Sequence, residues 1–282
     1  MLIRFGYEIT LSCPQDTPMV VMMVVMMSVR DERRDDIRLQ SGLGTLPDVP
    51  CTAYHDLFGN TCRRLVAPAG RITLQSDSTI LSSPDPDPVE PLARETPIAD
   101  LPDDTLMFLL GSRYCETDRL SQTAWDLFGG ITPGWPRVQA ICDYVHRHIR
   151  FDYQQARSTR TAFDAWQERV GVCRDFAHLA IAFCRCMNIP TRYVNGYLGD
   201  IGVPITGPMD FSAWMEVFLD SRWHSFDPRN NRPRIGRIVV AYGRDAADVP
   251  LIHSFGPHVL ESFLVWADQI AGPEQDTVLR KA

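Results

Sequence analysis

The sequence has neither the excess of basic residues that is typical of nucleic-acid-binding proteins nor the apolar leader that is typical of secreted proteins. Its 35 acidic residues outnumber its 28 basic residues, and the formal net charge is −7. This balance argues against general nucleic-acid binding, which needs a basic face. Residues 1–8 contain no apolar run of the kind that forms the core of a signal peptide. We therefore expect a reduced, cytoplasmic protein with no nucleic-acid partner.

The chain also lacks zinc-type cysteine spacing and a membrane-length apolar run. Among its eight cysteines, Cys184 and Cys186 are separated by one residue and have no partner pair nearby, unlike the paired spacings of zinc sites. The apolar run at residues 19–29 is shorter than the roughly 20 residues that cross a bilayer, and its valines predict a buried strand. We expect no metal and no contact with a membrane.

A change in composition near residue 83 divides the chain into two domains. Residues 1–82 hold short β-type segments separated by turn signals, and they predict an N-terminal antiparallel β-sandwich. Residues 83–98 are rich in proline and aspartate, and they predict an extended, poorly packed linker. Residues 99–282 begin with helical patterns and end with strands, so we expect an α+β domain of helices packed on an antiparallel sheet.

The hydrophobic periodicity predicts the individual elements. The predicted N-terminal strands are residues 2–11, 19–29, 36–40, 62–67 and 71–81. The predicted helices are residues 118–128, 135–149, 161–168 and 173–187, after a possible helix start at Asp103. The predicted C-terminal strands are residues 191–198, 212–219, 222–227, 235–242 and 263–267.

The segment Gly-Val-Cys-Arg-Asp-Phe-Ala-His-Leu-Ala at residues 171–180 predicts a turn that delivers Cys173 to the first turn of an amphipathic helix. The positive end of the helix dipole favours thiolate over thiol, and a thiolate is a nucleophile. His178 lies about 140° further around the helix. We expect His178 to be structural, because it cannot easily reach the thiol.

A β-hairpin is predicted downstream, with its tight turn at residues 220–221. Counting outward from this turn places Asp227 opposite Trp214. Ser212 then lies within two residues of Asp227 across the ladder. His224 lies nearer the turn, too far from that end of the hairpin to be a partner of these residues.

Four motifs in this order resemble the transglutaminase-like superfamily. They are Gly-Val-Cys-Arg-Asp-Phe-Ala-His-Leu at 171–179, Pro-Thr-Arg-Tyr-Val-Asn-Gly-Tyr-Leu at 190–198, Ala-Trp-Met-Glu-Val at 213–217 and Trp-His-Ser-Phe-Asp-Pro at 223–228. The chain is similar to a bacterial group of candidate cysteine proteases that carries an N-terminal β domain, so the resemblance covers nearly the whole chain. It implies a papain-like core, in which a cysteine at a helix N-terminus faces a histidine and an aspartate on adjacent strands.

The resemblance implies roles for Cys173 and Asp227, but the sequence departs from the family pattern at Ser212. By position, Cys173 matches the nucleophile and Asp227 matches the acid that orients the histidine. The family pattern has histidine directly before the Ala-Trp pair, whereas this chain has Ser212. A serine cannot accept the thiol proton near neutral pH. The resemblance therefore predicts the fold more firmly than the reaction.

Three alternatives follow from the serine at the histidine position. Another group acts as the base, for which Asp210, His253 and His258 are the candidates. Alternatively, Cys173 reacts without a triad, assisted by the helix dipole and Arg174. In the third alternative the domain does not catalyse a reaction.

The resemblance implies thiol-dependent acyl transfer or hydrolysis on an amide of a peptide or protein. Cys173 would form a thioester, and backbone N–H groups at the start of its helix would hold the oxyanion. The alternative function is a catalytically impaired domain, with Ser212 at the histidine position, that binds peptides or proteins through the same cleft. Neither function implies a metal or an organic cofactor.

Overall fold

The fold is described from a computed structural model, which places residues 1–21, 36–39, 42–205, 207 and 209–271. The strands are β1 (Leu2–Cys13), β2 (Thr17–Val21), β3 (Ile37–Leu39), β4 (Gly44–Leu46), β5 (Thr52–His55), β6 (Thr61–Ala67), β7 (Gly70–Leu81), β8 (Arg150–Phe151), β9 (Val170–Gly171), β10 (Thr191–Leu198), β11 (Ser212–Leu219), β12 (Arg222–Phe226), β13 (Arg237–Gly243), β14 (Ile252–Ser254) and β15 (Val259–Ile270). The helices are α1 (Asp103–Leu106), α2 (Thr117–Phe128), α3 (Trp135–His148), α4 (Ala162–Glu168) and α5 (Cys173–Cys186). Of the strand predicted at residues 19–29, the part from residue 22 onward lies outside the described residues.

The N-terminal strands form two antiparallel sheets, and each sheet also contains a strand from the C-terminal part of the chain. The strand orders are β15-β1-β7-β3, with β4 also on β7, and β14-β2-β6-β5. β15 pairs with β1 along almost its whole length, from Leu2 opposite Ile270 to Ser12 opposite Val259. β14 and β15 therefore complete the sheets of the N-terminal region, whereas the division of the chain into domains at residues 83–98 stays a prediction.

The central strand β1 buries alternate residues, as the two-residue period of a strand requires. The side chains of Ile3, Phe5, Tyr7, Ile9 and Leu11 are all at most 2% exposed. Phe5 meets the ring of Tyr197 on β10 edge-on, with centroids 5.1 Å apart. This face of β1 therefore packs towards the C-terminal sheet, and both halves of the chain contribute to one hydrophobic core.

The C-terminal sheet has the strand order β12-β11-β10-β13, and helix α5 packs against β10 and β11. Every residue of α5 from Asp175 to Cys186 is buried, since α2, α3 and α4 also pack around this helix. The predicted α+β class, with helices on an antiparallel sheet after a strand-rich N-terminal region, is confirmed. Among the described residues, no helix is both long and apolar enough to cross a bilayer.

The hairpin of β11 and β12 has the predicted register. Leu219 lies opposite Arg222, and Met215 lies opposite Phe226. Asp220 and Ser221 have φ angles of 45° and 63°, the left-handed conformation that a two-residue turn between twisted strands requires. The ladder ends at the pair of Met215 and Phe226, and Asp227 is the next residue of the chain.

The linker segment, residues 83–98, is mostly exposed, and two of its acidic side chains bind arginines of the C-terminal part of the chain. Asp87 accepts hydrogen bonds from the backbone N–H of Arg234 and from Nε of Arg237, both at 2.8 Å. Glu95 pairs with the largely buried Arg137 at 3.0 Å. The prolines exclude regular structure, as expected, but acidic residues attach the segment to buried arginines that composition alone does not reveal.

Candidate active site

The turn before α5 is organised by the carboxylate of Asp175. Its Oδ2 accepts the backbone N–H of Val172 at 2.9 Å and Nη1 of Arg160 at 3.1 Å. The contact with Val172 is a helix-capping interaction, which satisfies an N–H group that the helix leaves free. A Cβ atom at Gly171 would lie 2.6 Å from Cβ of Asp175, so this position needs glycine. The motif thus fixes Cys173 as the first residue of the helix.

The thiol of Cys173 lies between the start of α5 and the start of β11. The backbone N–H groups of Ala213 and Arg174 both act to lower the pKa of this thiol. Burial raises the pKa of the thiol to about 11, despite the opposing effects of these donors and of Arg229. The predicted preference for thiolate is therefore wrong for the resting protein, because loss of solvation exceeds the benefit of the helix N-terminus.

Asp210 is the nearest of the three proposed replacement bases. Its charge acts on the thiol of Cys173, and its Oδ1 accepts the backbone N–H of Phe211 at 2.6 Å. Burial raises the pKa of this carboxyl group. By contrast, His253 belongs to β14 and pairs with β2, and His258 contacts the hydroxyl of Ser254 at 2.8 Å. His253 therefore lies in an N-terminal sheet, and His258 lies in the connection between β14 and β15.

Asp227 is buried and fully engaged, but not with Ser212. Its Oδ1 accepts the backbone N–H of Asn230 at 2.9 Å, and its Oδ2 accepts Nδ2 of Asn230 at 2.8 Å and Nη2 of Arg237 at 3.0 Å. Although burial alone would raise it, Arg237 and Asn230 hold the pKa of Asp227 below its usual value. In the described part of the chain, no hydrogen bond joins Asp227 to Ser212.

Ser212 is the first residue of β11 and is 8% exposed. It directly precedes Ala213, whose backbone N–H lowers the pKa of the thiol of Cys173. The structure therefore places Ser212 near Cys173. Asp227 directly follows the last residue of β12, and its carboxylate is bound by Asn230 and Arg237 instead.

Two other histidines have structural environments. The ring of His178 stacks on Tyr114 at 5.1 Å, and its Nε2 accepts the backbone N–H of Ala246 at 3.1 Å. Burial lowers the pKa of His178 well below its usual value, so this ring stays neutral. His224 lies opposite Val217, as the sequence predicts. Neither of them acts on the thiol of Cys173.

Two groups near the thiol were not identified as site residues from the sequence. The guanidinium of Arg229 lies over the ring of Phe151, 4.1 Å from its centroid, and its charge acts on both Cys173 and Asp210. Tyr153 is half-exposed, and Cys173 and Arg229 both affect its pKa. The only sequence signal for Arg229 was a local cluster of arginines. Within the described residues, no group of three or more His, Cys, Asp or Glu side chains could hold a metal ion.

The chain carries a transglutaminase-like domain. Residues 121–228, which run from α2 through the cysteine helix to the end of the hairpin, match the family model of the transglutaminase-like superfamily. The matched segment contains Cys173, Asp210, Ser212 and Asp227. The predicted recognition of this superfamily is therefore confirmed.

Known proteins similar to this chain include one solved structure of almost the same extent. A candidate cysteine protease from Cytophaga hutchinsonii is 27% identical, with a TM-score of 0.81 over 97% of this chain and 93% of its own. An uncharacterised protein of Mycobacterium tuberculosis (strain H37Rv) is 34% identical over 131 residues, 42% of each protein. The human kyphoscoliosis peptidase is 29% identical over 128 residues, which span 42% of this chain and 19% of the peptidase.

Proposed function

We propose that the protein is a thiol-dependent acyl transferase or hydrolase that acts on amides of peptides or proteins. The observation that carries this proposal is the position of Cys173 as the first residue of α5, where the helix leaves backbone N–H groups without intrahelical partners. Donors in this arrangement stabilise negative charge on sulfur or on the oxygen of an attacked carbonyl. The transglutaminase-like domain and the similarity to a candidate cysteine protease support the same chemistry.

In the first half of the reaction, the sulfur of Cys173 attacks the amide carbonyl carbon. A bond forms between sulfur and carbon, the carbon–nitrogen bond breaks, and the thiol proton passes by way of a base to the departing amine. In the second half, water or an amine attacks the thioester carbon, and the carbon–sulfur bond breaks. The proton lost by this second nucleophile returns to the sulfur. The products are a carboxylic acid or a new amide.

We assign the role of base to Asp210. A thiol with a pKa of about 11 is protonated at neutral pH, so the attack needs a group that accepts the proton. Burial raises the pKa of Asp210 towards neutrality, which makes a carboxylate a better proton acceptor. Ser212 cannot serve, because a hydroxyl group is not a base in this pH range.

Release of 4-nitrophenol from 4-nitrophenyl acetate tests the proposed function. We expect the wild-type protein to release it faster than Cys173→Ala, and Asp210→Asn to be slowed by about a hundredfold or more, which is typical for loss of a general base. Asp200→Asn is the matched control, because Asp200 is a neighbouring carboxylate that pairs with Arg234 at 3.5 Å. A wild-type rate no higher than that of Cys173→Ala would refute the function.

A second candidate function is supported by the raised pKa of Cys173 and by the engagement of Asp227 with Arg237. Both features disfavour catalysis, and the second candidate function is therefore binding of a peptide without cleavage. In that case, a peptide library would yield ligands that protect Cys173 from alkylation. None of these ligands would be cleaved or joined to an amine by the wild-type protein.

A further inference from the structure

Arg229 is held in place by its backbone rather than by its side-chain charge. The backbone carbonyl of Arg229 lies 2.9 Å from Nδ1 of His146, and that of Pro228 lies 3.2 Å from the same nitrogen. The next residue, Asn230, is bound through its N–H and its side chain to Asp227. The loop is therefore fixed on both sides of Arg229, and the guanidinium is directed by its contact with Phe151 at 4.1 Å.

Arg229 belongs to a local cluster of arginines that also contains Arg232, Arg234 and Arg237. Arg237 pairs with Asp87 and Asp227, Arg234 binds the carbonyl of Gly199 at 2.9 Å, and Arg232 is exposed. Like the exposed Arg232, Arg229 has no carboxylate of the described residues within ion-pair distance of its guanidinium. The guanidinium of Arg229 lies over Phe151, which pairs with Gly171, two residues before Cys173, and its charge acts on the thiol.

The other charged side chains of this region have partners of their own. The carboxyl group of Asp210 acts on both Arg229 and the thiol but makes no ion pair with Arg229, and it accepts the N–H of Phe211. Asp200 is paired with Arg234. The guanidinium of Arg174 is directed at the backbone carbonyl of Arg157. Of the guanidinium groups near the sulfur of Cys173, that of Arg229 therefore remains available to bind an anion.

We propose that Arg229 binds a carboxylate on the acyl group of the substrate, so that the site prefers amides of acidic acyl donors over neutral ones. This inference rests on the proposed acyl transfer at Cys173. The acyl group stays on the sulfur until the second half of the reaction, whereas the amine departs. A guanidinium beside the sulfur therefore remains in contact range of the acyl chain throughout. Arginine suits this role because its planar donors match the two oxygens of a carboxylate.

Two esters that differ only in charge test the preference. Mono-4-nitrophenyl adipate and 4-nitrophenyl hexanoate have acyl chains of equal length, but only the former carries a terminal carboxylate. We expect the ratio of their kcat/KM values, adipate over hexanoate, to fall about tenfold in Arg229→Gln, as for loss of one charged hydrogen bond. Arg232→Gln removes an exposed charge three residues away and should leave the ratio unchanged. A ratio unaltered in Arg229→Gln would overturn the inference.

A binding measurement separates this inference from the proposed function. Adipate and hexanoate themselves can be tested for protection of Cys173 against iodoacetamide, which needs no catalysis. We expect adipate to protect the wild-type thiol at a lower concentration than hexanoate, and Arg229→Gln to abolish the difference. If protection follows this pattern but neither ester acylates Cys173, the anion site stands and the acyl-transfer function fails. Equal protection by both acids would refute the anion site.

Discussion

Nη2 of Arg237 lies 3.0 Å from Oδ2 of Asp227, and Nε of the same guanidinium lies 2.8 Å from Oδ2 of Asp87. One buried arginine therefore joins the linker segment to the acid that the resemblance assigned to orienting a histidine. The guanidinium also lies over the ring of Trp214, at 4.8 Å from its centroid. In this chain Asp227 thus belongs to a structural ion-pair network, and its position in the hairpin is maintained without a histidine.

Removal of Arg237 should destabilise the fold strongly. We expect Arg237→Met to lower the free energy of unfolding by about 3–5 kcal/mol, because it leaves the buried carboxylate of Asp227 and the partly buried carboxylate of Asp87 without their cation. The measurement is urea unfolding followed by tryptophan fluorescence. Arg222→Ala is the matched control, since Arg222 pairs with Glu90 at the surface and is 59% exposed; its loss should cost at most about 1 kcal/mol. Equal losses in the two variants would contradict the role of Arg237.

The pH dependence of the free energy of unfolding should show how much Asp227 contributes to the stability of this network. Because the pKa of Asp227 is lowered in the folded state, its charge stabilises the fold at pH values above the unfolded pKa of about 3.9. This contribution is lost as the pH falls through the folded pKa. We expect the stability advantage of the wild type over Asp227→Asn to be full at pH 7 and to shrink below about pH 4. An advantage that stays constant down to pH 2 would exclude Asp227 as its source.

The rate of alkylation of Cys173 should increase with pH throughout the alkaline range. With a pKa of about 11, the thiol is less ionised at pH 7–9 than an unfolded cysteine, whose pKa is about 8.5. We expect the iodoacetamide rate at Cys173, measured by peptide mass spectrometry, to be below that of the urea-unfolded chain and to rise up to pH 10. A plateau below pH 8 would show instead that the resting thiol is a thiolate.

Installing the missing histidine should increase the reactivity of the thiol near neutral pH. In Ser212→His an imidazole with a pKa of about 6.5 can accept the proton of Cys173. We expect the alkylation rate of Cys173 at pH 7 to rise about tenfold or more, within the range of general-base effects. Ser212→Asn is the matched control, as it introduces a polar side chain without a base. An equal rate in both variants would mean that a side chain at position 212 does not reach the sulfur.

The local parts of the site could be predicted from the sequence. The register of the hairpin was predicted correctly because the turn at residues 220–221 and the alternation of its strands are encoded within a few neighbouring residues. The start of α5 was predicted for the same reason, since glycine, the capping aspartate and the apolar stripe all lie within the motif. These are interactions between residues close in sequence.

The parts that depend on distant residues could not be predicted. Arg237, which pairs with Asp227, lies 10 residues downstream of it. Asp87, the second carboxylate that Arg237 binds, lies 150 residues from Arg237 along the chain. The strand β15 pairs with β1 at the opposite end of the chain, and no local pattern indicates to which sheet a strand belongs. The pKa of Cys173 depends on its burial by the sheet, whereas the sequence revealed only the favourable helix N-terminus.

The central proposal is that Cys173 carries the acyl group of the substrate as a thioester. The most direct test is mass spectrometry of the intact protein, quenched in acid within the first turnovers after mixing with 4-nitrophenyl acetate, followed by peptide mapping. We expect one added acetyl group on the peptide that contains Cys173, removed by hydroxylamine at neutral pH and absent in Cys173→Ala. An unmodified Cys173 peptide under conditions where 4-nitrophenol is released, or acetylation at another residue alone, would contradict the proposal.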